Sequence, residues 1–265
     1  ILCASTFLTS IAHAEEQLTL DPLTVTAQGA LAGGSRTVPS NAEAREIIQR
    51  TPGGVAVVPA EAFEDRYSVS FEDTLSLTPG VYAQQRFGEE VRLSIRGSGL
   101  SRGFHLRGLT LLQDGIPFNL ADGSADFQEA DSLATQRLEV FKGANALQYG
   151  SSSLGGAINI VSKTGHSNPG NQVRFEASSE STYRANYQSG RVFDGSDYFA
   201  SLTTTTSDGF REHDDQENIK FNGNFGQALS EGAETRFYLS ANVLDQELPG
   251  SVSLQTALNN REAAD

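Results

Sequence analysis

The chain has 265 residues, a formal net charge of −14 and a pI near 4.7. Its length allows one large domain or two ordinary ones. The acidic balance argues against a nucleic-acid-binding protein, which needs a basic surface for phosphate, so no nucleic-acid partner is expected.

The first residues have the pattern of the end of a secretory signal peptide. An apolar run from Ile1 to Ile11 precedes an A-x-A sequence at residues 12–14. We therefore predict a partial signal peptide over 1–14, with a short buried helix as the alternative. Cys3 is the only cysteine, so the mature chain is expected to contain no disulfide and no thiolate site. The chain contains no Met and is expected to be a fragment or a processed product.

Residues 15–54 are polar, interrupted by Gly and Pro, and poorly periodic, which predicts a flexible arm. One island within it, LTLDPLTVTAQ at residues 18–28, is rich in β-branched residues and predicts an extended segment.

Residues 55–165 carry a mixed α and β pattern. A short helix is predicted in SFEDTLSLTPGV, with Ser70 as N-cap and acidic residues in the first turn. GVAVVPAEAF predicts a strand followed by the start of a helix. Short strands ending in turn residues are predicted in VRLSIRG, LTLLQDGIPF, LEVFKG and GAINIVSKTG.

Residues 171–265 show long period-two alternation, which predicts about five antiparallel strands of roughly ten residues. That length is close to what a tilted strand needs to span a bilayer, and the polar face carries Arg, Glu, Lys and Asn at mid-strand. These features favour part of a large transmembrane barrel, most of it expected beyond Asp265. A soluble β-sandwich is the alternative.

In this order, the motifs resemble the TonB-dependent outer-membrane receptors. DPLTVTA resembles a TonB box, and TPGVY, LSIRGSG, LLQDGIPF and EVFKGANALQYGSSSLGGAINIVSKTG resemble segments of the plug domain. The resemblance implies an α+β plug domain followed by the first strands of a large antiparallel transmembrane β-barrel. The implied divisions are signal 1–14, arm 15–54 with the box at 21–27, plug 55–165 and barrel 171–265.

The resemblance also implies three sets of site residues. TonB, driven by its inner-membrane energising complex, would bind the box by β-strand addition, through Asp21, Pro22, Leu23, Thr24, Val25, Thr26 and Ala27. Outward-facing plug turns would offer cations and aromatic rings to an anionic chelate; the candidates are Arg86, Arg102, Phe104, Phe118, Asn119 and Asp122. A structural set would build the plug, namely Arg96, Gly97, Asp114, Gly115, Lys142, Gly143, Tyr149, Gly150, Gly155 and Gly156.

Within the structural set, glycines permit tight turns and close backbone approach. Arg96 is expected to bond carboxylates of the plug or the wall. Ser151–Ser153 and Asn159 are expected to supply hydrogen bonds to groups hidden from water.

The implied function is energised import of a ferric siderophore or similar chelate across the outer membrane of a Gram-negative bacterium. Outer-membrane lipid is then a further partner. The alternatives are a cobalamin or sugar importer, a surface β-rich adhesin, and an exported hydrolase using carboxylates such as Asp122 and Asp126.

Neither a cofactor nor an enzyme activity is expected, because GSSSLGG lacks the Lys-Ser/Thr of a phosphate loop and the four His are scattered. His213, Asp214 and Asp215 are a weak metal candidate, and no metal site is predicted. About six residues separate the predicted mature terminus from Asp21, so no signalling domain is expected before the box.

Overall fold

A computed structural model describes residues 33–264 except 69, 77, 86–87, 100–105, 107, 126 and 151–152. The predicted signal peptide and TonB box lie outside these residues. Within the described part of the chain, no helix is both long enough and apolar enough to cross a membrane.

Residues 33–165 form an α+β domain built on one mixed sheet. Its strands are β1 (Gly54–Pro59), β4 (Leu109–Gln113), β5 (Ile116–Pro117), β6 (Thr135–Lys142) and β7 (Gly156–Ser162), and a separate hairpin is formed by β2 (Val81–Gln85) and β3 (Val91–Ile95). The order in the main sheet is β1-β6-β7-β4-β5. All its neighbours are antiparallel except β4 and β7, which are parallel.

The centre of this sheet is the core of the domain. Every residue of β7 is buried, including the polar Asn159 and Ser162, because the strand lies between β6 and β4 at the centre of the sheet. Helix α2 (Phe71–Leu75) closes one face, and the rings of Phe71 and Phe127 stack at 5.1 Å. Ser70 caps α2 as predicted, in a capping box with Asp73. Short 3-10 turns lie at Ala60–Ala62, Phe127–Glu129 and Gly143–Tyr149.

Two of the predicted motifs are tight two-residue hairpins. Arg96 and Gly97 have φ of 53° and 89°, and Asp114 and Gly115 have φ of 53° and 80°. Two consecutive positive φ values are typical of a type I′ turn, the turn that matches the twist of its flanking strands.

The start of the domain differs from the predicted arm. Residues 41–50 lie inside the predicted arm but form helix α1 (Asn41–Arg50). Ser40 and Glu43 form a reciprocal capping box at its start, and Ala44 is buried. A capped first turn and a few packed side chains are enough here, although the segment shows no clear periodicity.

Residues 170–246 form the predicted five-stranded sheet, in which each strand pairs antiparallel with the next one along the chain. The strands are β8 (Gly170–Ala177), β9 (Tyr183–Phe193), β10 (Ser196–Ser207), β11 (Gln216–Ser230) and β12 (Ala233–Gln246). A short helix, α3 (Leu254–Asn259), follows.

The distribution of polar and apolar side chains over the two faces of this sheet is the reverse of that in a soluble protein. Polar side chains such as Arg184, Gln188 and Lys220 are buried against the N-terminal domain. Large apolar side chains point away from it, and Phe175 is 80% exposed. A soluble β-sandwich buries its apolar face, so this distribution rules against that alternative and matches a wall with a lipid-facing exterior.

Gly155 explains why the segment before β7 is built from small residues. Its backbone N–H donates to the carbonyl of Gly108 at 2.8 Å. A Cβ at residue 155 would lie 2.9 Å from that carbonyl oxygen and would overlap the side chain of Ser98.

We therefore expect Gly155→Ala to lower the free energy of unfolding of the domain by about 1–3 kcal/mol, the usual range for overpacking. Gly232→Ala is the matched control, because a Cβ there meets no atom within 4 Å. Denaturant unfolding of the full-length protein, followed by a fluorophore on the N-terminal domain, measures both. Equal effects of the two substitutions would contradict the assignment.

Candidate functional site: the interface between the domain and the sheet

The inward face of the sheet contacts the N-terminal domain through charged and polar groups. Lys220, on β11, donates to the Ala130 carbonyl at 2.9 Å and pairs with Glu89. Both side chains of the pair are largely buried. Burial raises the pKa of the Glu89 carboxyl, and the nearby Lys220 ammonium opposes part of that rise.

Neighbouring strands repeat this pattern, with a backbone carbonyl and a carboxylate of the domain as acceptors. The amide of Gln188 donates to the Leu133 carbonyl at 2.8 Å. The hydroxyl of Thr203 donates to the carboxylate of Asp131 at 2.6 Å. Each contact joins a particular side chain of the sheet to a particular group of the domain. Together these contacts fix the position of the domain against the sheet.

A second group of contacts ties the domain to β8 and β9. Arg184 donates to the Ser68 carbonyl at 2.6 Å and pairs with Glu176. Lys163, at the end of the domain, donates to Gln188 of β9 at 3.5 Å and pairs with Glu64 of the domain at 2.9 Å. These cations are buried, so each needs its partner to offset the loss of hydration.

The Asp114–Gly115 turn is tied to β7 by its own side chain. The Asp114 carboxylate accepts from the backbone N–H of Ser162 at 2.8 Å and from its hydroxyl at 2.6 Å. Asn159 accepts from the N–H of Gly115 at 2.9 Å, a hydrogen bond of the predicted kind. Burial raises the pKa of the Asp114 carboxyl to about 6, despite the two bonds from Ser162.

Two cavities meet at this turn. One, of about 420 Å³, lies between α1 and the sheet of the domain, and the other, of about 190 Å³, lies between the turn and β11–β12. Asp114 and Tyr238 line both cavities, and Phe118 lines the smaller one.

The structure describes three of the six predicted ligand-binding residues. Phe118 is half-buried against the core of the domain. Asn119 accepts from the N–H of Leu111 at 2.7 Å and so fastens its loop to β4. Asp122 is exposed and accepts from Ser124. Arg86, Arg102 and Phe104 lie outside the described residues, so ligand contact by all six stays a prediction.

The predicted structural set falls in turns and close contacts. Gly97, Gly115, Gly143 and Gly150 have positive φ, and Gly155 and Gly156 sit where a Cβ would meet backbone oxygens. Tyr149 packs on Phe141 with ring centroids 5.0 Å apart, and burial raises the pKa of its phenol to about 12.

The surroundings of Arg96 differ from the expected carboxylate pairing. Its guanidinium lies over Gly54 and Gly143, and no carboxylate among the described residues pairs with it. Lys142 is nearby and donates to the Pro79 carbonyl at 2.5 Å. Burial and the charge of Arg96 lower the pKa of Lys142. A carboxylate partner for Arg96 stays a prediction.

The loop between β10 and β11 is held by Arg211, which donates to the carbonyls of Pro249, Gly250 and Ala263. His213 is exposed and lies 3.1 Å from a carboxylate oxygen of Glu247. The described residues contain no cluster of three His, Cys, Asp or Glu side chains suited to a metal ion.

Sequence reasoning did not single out the wall residues that make this interface. They share one signal, a charged or amide side chain on the polar face of an alternating strand. They include Arg184, Gln188, Asp197, Lys220, Asn224 and Arg236. These side chains can be recognised in the sequence, but their hydrogen-bond partners cannot, because the partners lie in distant parts of the chain.

Comparison with known proteins places this arrangement in a family. Residues 47–157 match the family model of the TonB-dependent Receptor Plug Domain. The Vitamin B12 transporter BtuB of Vibrio vulnificus (strain CMCP6) is 28% identical over 184 residues, covering 69% of this chain and 27% of that protein. The ferrichrome outer membrane transporter/phage receptor of Escherichia coli (strain K12) is 32% identical over 145 residues, covering 53% of this chain and 18% of that protein.

A solved structure shows the same fold. The ferric citrate transporter FecA in its unliganded form superposes with a TM-score of 0.67 at 19% identity, over 85% of this chain and 36% of that one. The chain therefore combines a plug domain with antiparallel strands like those of the receptor barrels. Its residues 47–157 belong to the TonB-dependent receptor plug domain family, and the chain spans about a quarter or less of the length of the two curated relatives.

The raised pKa of Asp114 predicts a pH dependence of plug stability. Between pH 3.8 and about 6 the unfolded chain has lost this proton while the folded carboxyl keeps it, so stability is highest below this window and falls as the pH rises through it. Asp114→Asn preserves the shape and can still bond Ser162. We expect the free energy of unfolding of this variant to fall by about 3 kcal/mol less than that of the wild type over the pH window. Unfolding of the full-length protein at pH 4 and pH 7 tests it, and identical pH profiles for both proteins would contradict it.

The Lys220–Glu89 pair predicts a non-additive effect. Lys220→Met leaves Glu89 buried without a counter-charge and should destabilise the seated plug by about 3–5 kcal/mol. Adding Glu89→Gln should recover much of that loss. Arg50→Met is the control, because its pair with Glu46 is largely exposed and such pairs contribute less than about 1 kcal/mol. Denaturant unfolding measures the wild type, the Lys220→Met and Glu89→Gln single variants, the double variant and the control, and strict additivity of the two single effects would contradict the pairing.

Proposed function

We propose that this chain is the N-terminal part of an energised outer-membrane importer, in which the plug domain closes a barrel begun by β8–β12. The observation that carries the proposal is the inverted sheet, which buries Arg184 and Lys220 against the plug and exposes Phe175 and Phe237 on its outer face. A lipid-embedded wall around a polar plug requires this distribution.

The cargo class that we propose is a ferric siderophore or a similar iron chelate. The ferrichrome and ferric citrate transporters among the similar proteins support it. Cobalamin is the second candidate, because the vitamin B12 transporter matches over the larger share of this chain. We propose that the cargo contacts the outward turns that carry Arg86, Arg102, Phe104, Phe118, Asn119 and Asp122.

The work of import needs an external source, because the plug fills the space beside the wall and the outer membrane holds no ATP. We propose that TonB and its inner-membrane energising complex supply this work through residues 21–27, which would add to TonB as a β-strand. Cargo bound at the outer turns would favour an exposed box and so signal that the receptor is loaded.

Val25→Pro removes a backbone N–H from the predicted box and should abolish energised uptake while leaving surface binding of cargo intact. Ala30→Pro, outside the box, is the matched control. Cells that carry the full-length receptor are tested with radiolabelled ferrichrome, ferric citrate and cyanocobalamin, with binding and uptake measured separately. Loss of both binding and uptake in the Val25 variant, or of neither, would contradict the proposal.

Cell fractionation distinguishes the importer from a secreted adhesin. We expect the full-length receptor in the outer-membrane fraction, with a gel mobility that shifts on heating, as membrane barrels show. A soluble product would contradict the assignment.

A further inference from the structure

The guanidinium of Arg236 lies at the centre of a buried polar network at one end of the sheet. It makes two bonds to the carboxylate of Asp197, at 2.5 and 3.0 Å, and one to Asn224 at 2.7 Å. The side chains of Arg236 and Asp197 are 1% and 2% exposed. This is the end where β9–β10 and β11–β12 are joined by two-residue connections, so in an outer-membrane barrel it faces the periplasm.

The segment that leads into the plug is fastened to this network. The hydroxyl of Thr37 donates to Glu234 at 2.6 Å and accepts from Nε of Arg236 at 3.0 Å. The backbone N–H of Arg36 donates to Glu234 at 2.9 Å, and Nη2 of Arg236 donates to Ser35 at 3.3 Å. We call these contacts the arm latch.

The segment that leaves the plug is fastened to the same network. Asp197 accepts from the backbone N–H of Gly165 at 3.0 Å, and Asn224 donates to the carbonyl of Lys163 at 2.8 Å. We call these contacts the linker pin. The entrance and the exit of the plug domain, residues 35–37 and 163–165, are therefore held at one place on the wall.

The two attachments differ in how firmly they hold. Both bonds of the linker pin are buried, so breaking them would leave the Asp197 carboxylate and the Lys163 carbonyl short of a hydrogen bond in a place without water. The bonds of Arg36 and Thr37 to Glu234 are exposed, so water can replace the arm groups when they leave. The arm latch is thus the weaker attachment.

We propose that Glu234 and Arg236 form a force-sensitive latch that holds the root of the arm at the periplasmic mouth and opens before the linker pin. The inference rests on the proposed function, because it takes the pull to come from TonB at residues 21–27. A pull on the arm reaches Ser35 and Thr37 before it reaches the plug core. The latch would therefore open first, while the linker pin keeps the end of the plug attached to the wall.

Force spectroscopy on the full-length receptor in lipid vesicles tests the latch. A handle is attached at residue 30 through Ala30→Cys, in a receptor whose other cysteines, including Cys3 where it is retained, are replaced by Ser. We expect an early rupture event that releases only a short length of chain. Thr37→Val keeps the side-chain shape and removes both hydroxyl contacts, so it should raise the opening rate at a given force about tenfold. Glu234→Gln should act in the same direction.

The chain offers matched controls for both substitutions. The hydroxyl of Thr51 bonds only the carbonyl of Ile47 in its own helix among the described residues, and Glu46 pairs with Arg50 at the surface. Thr51→Val and Glu46→Gln should leave the early event unchanged. Thr37 lies on an exposed segment, so its variant reports on the latch even if Glu234→Gln misfolds.

An unchanged early event in Thr37→Val overturns the latch. A handle replaces TonB in this experiment, so the result does not depend on the proposed function. If the early event shifts as expected but a purified TonB C-terminal domain does not bind the arm, the latch stands and the proposed energy source is wrong.

Discussion

The structure depends on one constraint: the sheet buries a polar face, and every charged group on that face needs a partner. Lys220 and Arg184 both point inward from the wall, where each would cost several kcal/mol if unpaired. The plug supplies what they need, as backbone carbonyls at Ser68 and Ala130 and as the carboxylate of Glu89. Plug and wall therefore specify each other, because neither surface is satisfied alone.

Because the interface is polar, separating its two sides costs less free energy than opening an apolar core. Hydrogen bonds from Gln188 or Thr203 can be exchanged for bonds to water when the plug shifts, whereas exposing Leu111 or Ile158 would forfeit hydrophobic stabilisation. The plug thus has a firm interior and a polar exterior.

Several elements were predictable from the sequence because their signals are local. The five strands of 170–246 follow from period-two alternation, and the Asp114–Gly115 hairpin follows from a dipeptide that accepts two positive φ values. Helix α1 was not predicted, because it depends on a capping box and on the burial of Ala44 against a domain formed by distant segments. The segment LSIRGSG, which carries Arg96, contains no carboxylate, so the expected partner would have to come from another part of the chain.

The candidate site also has features that the sequence predicts and features that only the folded domain shows. The motifs identified the turns that carry Phe118, Asn119 and Asp122, but only the packed domain showed that Asn119 bonds the backbone of β4. No local pattern connects Thr37 with Glu234, which lie 197 residues apart in the chain.

The sequence by itself determined the order of the parts, the alternation of the strands and the positions of the tight turns, because these depend on neighbouring residues and on backbone sterics. Only the tertiary structure decided which strand face meets the plug, which carbonyls receive the buried cations and where both ends of the plug are fastened. Those features depend on free energies of desolvation and pairing, which are set when segments distant in the chain come together.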